Sequence, residues 1–359
     1  MSNVVQLDVP FRQNSMAARQ AAMLDRFARH RRLDGDVFWL KENAEALNVL
    51  ESTAAVLPEG ALRVHRAFYD EIERRMGFFP QYYRFFLGLC LDLEDLGIGG
   101  TKGEGLTRWV ARQGLARAEL SDLQRAEARR LCLRRGVDPV AEDGGLNDRL
   151  RGFVRRSETF ALPNKKAAYE LTHIVFYLSE YGRRDPEVGQ AFIDSLHFAG
   201  TLAFLELNLD LLAEICIALR FAGAVPPEVW ETWMREQAGL FRLETVHGGG
   251  APQDDYHPWL VVNWAMVVAG QGGFAQQIPE GRVMFRQPAA AVGPLRELSE
   301  CIYRMDEARS GDWHQMRDRV QEALSDEARR VLEAAEAATD RFEAFFAGFA
   351  RTGQQQVAL

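Results

Sequence analysis

The sequence predicts an all-α protein, either an α/α toroid of about six helical hairpins or an irregular multi-helix bundle. Three observations carry this. Apolar residues recur at steps of three and four along nearly the whole 359-residue chain. Strand-like alternation bounded by turn residues is almost absent. Capping residues, glycines and prolines punctuate the periodic stretches at intervals that suit helices joined by short turns.

Taken in order, a first helix covers about Ser15 to Arg32 and stops at Asp34-Gly35-Asp36. A second covers Val37 to Leu57, and a third Ala61 to Met76. Pro80 opens a fourth, Gln81 to Leu96, because proline needs no helical donor at that position. The glycine-rich stretch Gly97 to Gly105 reads as a connection. Ser121-Asp122-Leu123-Gln124 has a capping-box pattern and starts a helix that ends at Gly136. Asn164 caps the helix that stops at Gly182. A helix from Pro186 to Ala199 follows, with Gly200 as the break before a helix from Thr201 to Phe221. Pro226-Pro227 opens the next, to Leu243, and Asp254-Asp255 caps one from Tyr256 to Ala269. Gly270 to Gly293 is a loop in which Arg282 to Phe285 could be extended. Three helices close the chain: Pro294 to Arg309, Asp312 to Leu324, and Asp326 to Phe349 with Ser325 as cap. Residues 14–350 read as one large helical domain with a sub-boundary near 152–164, between a flexible N-terminus (1–13) and a flexible tail (351–359).

Composition narrows the function classes. The chain is 47% hydrophobic and 26% charged, with a formal net charge of -8. An acidic balance lacks the basic footprint of a nucleic-acid binder. The basic clusters at Arg26 to Arg32, Arg129 to Arg135 and Arg151 to Arg156 read as solvated helix faces. Cys90, Cys132, Cys216 and Cys301 are scattered and form no CxxC pair, which fits buried free thiols in a reducing compartment. The N-terminus has no signal-peptide pattern, and the apolar run from Trp259 to Gly270 is too short to cross a bilayer. A cytoplasmic protein is expected, with no nucleic-acid or membrane partner.

One helix concentrates the polar groups. Glu170, His173, Tyr177 and Glu180 stand at helical steps in an otherwise apolar segment. Titratable groups in such a segment are costly unless paired or used. Glu170-x-x-His173 is also the half-motif of carboxylate-bridged di-metal bundles, so Glu170, His173 and His257 form a candidate set for iron, manganese or zinc. A second ExxH, Glu244 to His247, runs into Gly248-Gly249-Gly250 and has poor geometry for a bundle core. In Asp254-Asp255-Tyr256-His257 the histidine occupies the first turn of a helix, where the dipole favours its neutral form. Glu206, Asp210 and Glu214 make an acidic stripe at four-residue steps. The phosphate-loop, GxSxG, HExxH and DDxxD patterns are all unmet. Phe342, Phe345, Phe346 and Phe349 lie at helical spacing and suit a core or a homodimer contact.

The segment Glu170 to Gly182, with Leu171-Thr172-His173 and Phe176-Tyr177, and the later Tyr256-His257, resembles a group of bacterial all-helical proteins. They share a Leu-Thr-His…Phe-Tyr…Gly segment and a downstream Tyr-His, and some look like α/α-toroid enzymes. The likeness covers Asn164 to Gly270 and implies that His173 and His257 face a common cavity. It brings no established activity.

The expectation is therefore a helical enzyme acting on a small organic molecule, with Glu170, His173, Tyr177, Asp210 and His257 as catalytic candidates. His173 would be a base or ligand oriented by Glu170, with His257 opposite. The competing expectations are a helical scaffold or ligand-binding protein whose polar groups form a satisfied network, and a di-metal carboxylate–histidine protein.

Overall fold

The computed structural model describes residues 13–247, 253–287 and 292–352. The sequence-predicted tail segment 354–359, nearly all of the N-terminal arm, and the triple glycine lie outside the described residues. Seventeen α-helices, one π-helical turn, three short 3-10 turns and two short strands make up the ordered elements among the described residues. The first half holds α1 (Met16–Arg26), α2 (Val37–Ser52), α3 (Arg66–Phe78), α4 (Tyr83–Asp95), α5 (Lys102–Arg112), α6 (Asp122–Leu133), α7 (Leu146–Val154), α8 (Ser157–Phe160) and α9 (Lys165–Leu178). The second holds α10 (Gln190–Leu205), α11 (Leu209–Phe221), α12 (Glu228–Leu240), β1 (Arg242–Thr245), α13 (Tyr256–Val268), β2 (Val283–Arg286), α14 (Leu295–Arg304), α15 (Trp313–Ala323), α16 (Asp326–Ala338) and α17 (Phe342–Phe349). The fold is an all-α, multi-helix one.

Helix α11 is its hub and packs against α9, α10, α12 and α13. Ten of its 13 residues are buried, as its nearly all-apolar sequence requires. Asp210 and Glu214 are the acidic exceptions, and both face the site described below. Helix α2 lies on α4, and α6 touches α4, α5, α7 and α9, which joins the N-terminal helices to the hub.

Several start signals act as read. Ser121, Asn164, Asp312 and Ser325 each accept a bond from the backbone N–H three residues on. Others are corrected. Gly200 does not separate two helices; it sits inside α10, where a Cβ would meet the Trp230 ring at 2.4 Å. The break falls at Leu207, which adopts φ 54°, and Asn208 caps α11 through Leu211 N. Asp255 occupies the N-cap position of α13, but its side chain makes no capping bond there. The Asp254 carboxylate accepts from Phe285 N and Arg31, and Asp255 accepts from Gln287 N. Both acids therefore fasten α13 to β2.

The strands pair antiparallel, with Arg242 opposite Arg286 and Thr245 opposite Val283. Glu244 of the second ExxH thus belongs to a strand. The connection expected from Gly97 to Gly105 is shorter, since α5 begins at Lys102. Two basic clusters are not simple solvated faces, because Arg31 and Arg130 are buried, at 2% and 5% exposure. Phe342, Phe345, Phe346 and Phe349 are buried within the chain, two of them against Trp313, which leaves none of these rings for a subunit contact. Among the described residues no helix is long and apolar enough to cross a membrane.

Candidate functional site

Four helices converge on one group of titratable side chains. Helix α11 supplies Asp210 and Glu214, one turn apart on the same face. Helix α13 supplies His257, α9 supplies Tyr169, Thr172 and His173, and α2 supplies Glu45.

His257 is the centre. Its Nδ1 lies 2.8 Å from Asp210 Oδ1. The Tyr169 hydroxyl donates to the other oxygen, Oδ2, at 2.7 Å. Burial disfavours the charged form of Asp210, but the bond and charge of His257, with the Tyr169 bond and the Lys41 charge, together outweigh it and hold its pKa below the usual carboxylate value. An ionised Asp210 only accepts, so His257 Nδ1 carries a proton. Burial alone would also lower the His257 pKa. The Asp210 hydrogen bond and the charge of Glu45 overcome it and push the imidazole up to about 9. The expectation that the helix dipole keeps His257 neutral is thereby corrected: nearby carboxylates outweigh it. His257 Nε2 lies 3.8 Å from Glu45 Oε1. Glu45 is itself held by the Tyr256 hydroxyl at 2.8 Å and flanked by Lys41 at 3.7 Å.

Beside this dyad, His173 Nδ1 donates to the Tyr169 carbonyl at 2.7 Å and lies 3.8 Å from Glu214 Oε2. A backbone carbonyl can only accept, so the neutral ring keeps its lone pair on Nε2. Glu214 is buried, and burial raises its pKa. The Thr172 hydroxyl has one proton and two partners, the Tyr169 carbonyl at 2.9 Å and Glu214 Oε2 at 2.6 Å. The single hydroxyl proton is shared between these two acceptors, and Glu214 accepts from it.

The support extends outward to Arg31, in a π-helical turn after α1. Its guanidinium binds Glu42 at 2.8 Å, Asp254 at 2.8 Å and the Val283 carbonyl at 2.7 Å. It also lies 5.1 Å from the ring centre of Tyr256, the residue that orients Glu45.

A cleft of about 280 Å³ opens at the site. Glu45, His173, Tyr177 and Tyr181 line it, with Tyr82, Phe85 and Arg130 farther along. A larger cleft of about 660 Å³ around Phe78, Phe79 and Arg74 has no histidine among its lining residues and shares only Tyr82 with the smaller one.

Of the residues picked from sequence, Asp210 and His257 are in contact, His173 adjoins them through Glu214, and Tyr177 stands in the cleft wall. Glu170 does not orient His173. It lies 35% exposed and pairs with Lys166 at 3.8 Å, one turn back along the solvent edge of α9. The three-residue step points it away, and the carbonyl of Tyr169, four residues before His173, takes its place. Among the described residues, the three-residue cluster able to hold a cation is therefore Asp210, Glu214 and His257, whose ligand atoms lie within 4.8 Å of one another. Glu170 is not part of it. Glu206 sits outside α11 and pairs with Lys165 at 2.9 Å. Glu45 and Tyr169 are not singled out by the sequence, Tyr256 enters there only as the neighbour of His257, and Arg130 only as part of a basic cluster. Tyr169 had a usable signal, four residues before His173; Glu45 had none.

A family model covers residues 1–352 of the chain. The chain belongs to the DUF6902 family, a domain of unknown function. The match takes in every helix that contributes to the site, so α2 and α13, far apart in sequence, fall within one DUF6902 unit. No curated protein and no solved structure matches the chain.

Proposed function

We propose that this DUF6902 chain is an enzyme that moves protons on a small organic molecule bound in the cleft beside His173 and Glu45. The supporting observation is the chain Tyr169–Asp210–His257, with bonds of 2.7 and 2.8 Å and the far imidazole nitrogen turned toward Glu45. His257 rests as an imidazolium and acts as the general acid through Nε2–H. Asp210 fixes the ring and stabilises its charge, and Tyr169 keeps Asp210 in place. The proton acceptor is the Nε2 lone pair of His173 or the Glu45 carboxylate, so a donor and an acceptor serve one substrate. Tyr177 forms part of the cleft wall.

Incubating purified wild-type protein and His257→Asn with a small-molecule cell extract tests this. Metabolites consumed by the wild type should persist with the variant, with rates reduced by about 10²–10⁴-fold. Identical mass-spectrometric profiles would overturn the proposal.

The clustering of ligand atoms within 4.8 Å favours a second reading, in which Asp210, Glu214 and His257 hold iron, manganese or zinc. Two carboxylates and an imidazole suit such a cation, provided His257 Nδ1 gives up its proton. Elemental analysis of protein purified without chelators decides it: about one equivalent of metal, lost in His257→Ala, supports this reading.

A further inference from the structure

The cleft contains a buried cation with unfilled bonding capacity. Arg130, on α6, is 5% exposed, and its Nε and Nη1 have no hydrogen-bond partner among the described residues. The nearest carboxylate oxygen, Glu180 Oε2, is 3.7 Å from Nη1, beyond hydrogen-bonding distance. The guanidinium lies 4.6 Å from the Tyr181 ring centre and 5.9 Å from that of Tyr177. Its neighbours are better served. Arg134 binds Asp92 and Asp95 at 2.6 Å each, and Arg84 pairs with Glu119 at 3.1 Å and with Glu127. A guanidinium withdrawn from water is costly unless its donors are used.

We propose that Arg130 anchors the carboxylate of a small, flat, aromatic monocarboxylic acid in this cleft, which presents the rest of the molecule to His173 and Glu45. The inference rests on the reading of this cleft as the place of reaction. Three features select the ligand. The planar fork of arginine matches a planar carboxylate. The walls are aromatic, from Tyr82, Phe85, Tyr177 and Tyr181, and the volume of about 280 Å³ suits a one-ring molecule. The other lining charges are nearly balanced, Glu45, Asp92 and Glu127 against Lys41 and Arg84, which suits a single carboxylate better than a phosphate dianion. The backbone supports the arrangement: Glu180, Tyr181 and Gly182 follow α9 with φ of 50°, 56° and 82°, a left-handed run that costs energy at its two non-glycine members. That run sets Tyr181 under the guanidinium.

Calorimetry of the full chain with benzoate, benzamide and inorganic phosphate tests the anchor without needing the natural substrate. Benzoate should bind at least about tenfold tighter than the neutral benzamide and than phosphate. Arg130→Gln should remove the preference, and Arg130→Lys, which keeps the charge but not the fork, should recover part of it. Equal affinities for benzoate and benzamide, preference for phosphate, no saturable benzoate binding, or an unchanged preference in folded Arg130→Gln would each overturn the proposal. The wild-type comparison stands if the variants fail to fold. Loss of the anchor with the His257 pKa still raised leaves the acid–base reading standing. An ordinary His257 titration with benzoate bound through Arg130 does the reverse.

Discussion

At the scale of single residues, the site is governed by which proton each group keeps. His257 is pushed up to about 9 although burial opposes its charge, because Asp210 and Glu45 face its two nitrogens. Glu45 can be isolated experimentally. Glu45→Gln keeps an acceptor for the Tyr256 hydroxyl but removes the charge 3.8 Å from His257 Nε2. The His257 pKa should fall by about one unit, read from the imidazole NMR signals. An unchanged value would mean that Asp210 alone sets it. Asp210 and His257 could be found from sequence because each is a polar residue in a strongly apolar helix, where burial must be justified by use. Glu45 could not, since its role depends on α13, some two hundred residues away, and helical periodicity carries no distance between helices. Arg130 was misread for a related reason: a run of arginines looks like a solvated face until the packing of α6 on α9 is known.

At the scale of elements, local chemistry was readable wherever the local signal had one use. Serine, asparagine and aspartate caps satisfy free N–H groups whatever the tertiary context, so Ser121, Asn164, Asp312 and Ser325 mark true helix starts. Gly200 misled because glycine also permits close packing, and here it admits Trp230. Strand β1 was missed because four mostly exposed residues show no amphipathic alternation, and only pairing with β2 makes them a strand. Asp254 was assigned to capping, yet it serves Arg31, the tie between α2, α13 and β2. Replacing Arg31 by methionine leaves Glu42 and Asp254 as buried carboxylates that have lost this partner. The expected loss is about 3–5 kcal/mol of unfolding free energy, measured by urea denaturation. A loss below about 1 kcal/mol would show that the tie is incidental.

At the scale of the whole molecule, three histidines shape the pH dependence of stability. Burial lowers His65 and His197 to about 4. Unfolded histidines take up protons near 6.5, so the contribution of these two is complete above that pH and is lost as pH falls from about 6.5 to about 4. His257 has the opposite sign. Its contribution is complete below about 6.5 and is lost as pH rises through about 9. Thermal or urea unfolding across pH should show a maximum near 6.5 with losses of the order of a few kcal/mol on either side. His257→Asn should flatten the alkaline side alone. The measurement that bears most directly on the acid–base account is an NMR titration of His257 in the wild type and in Asp210→Asn. The account predicts a wild-type pKa of about 9 that falls toward 6.5 in the variant. A wild-type value already near 6.5, unmoved by the substitution, would contradict it.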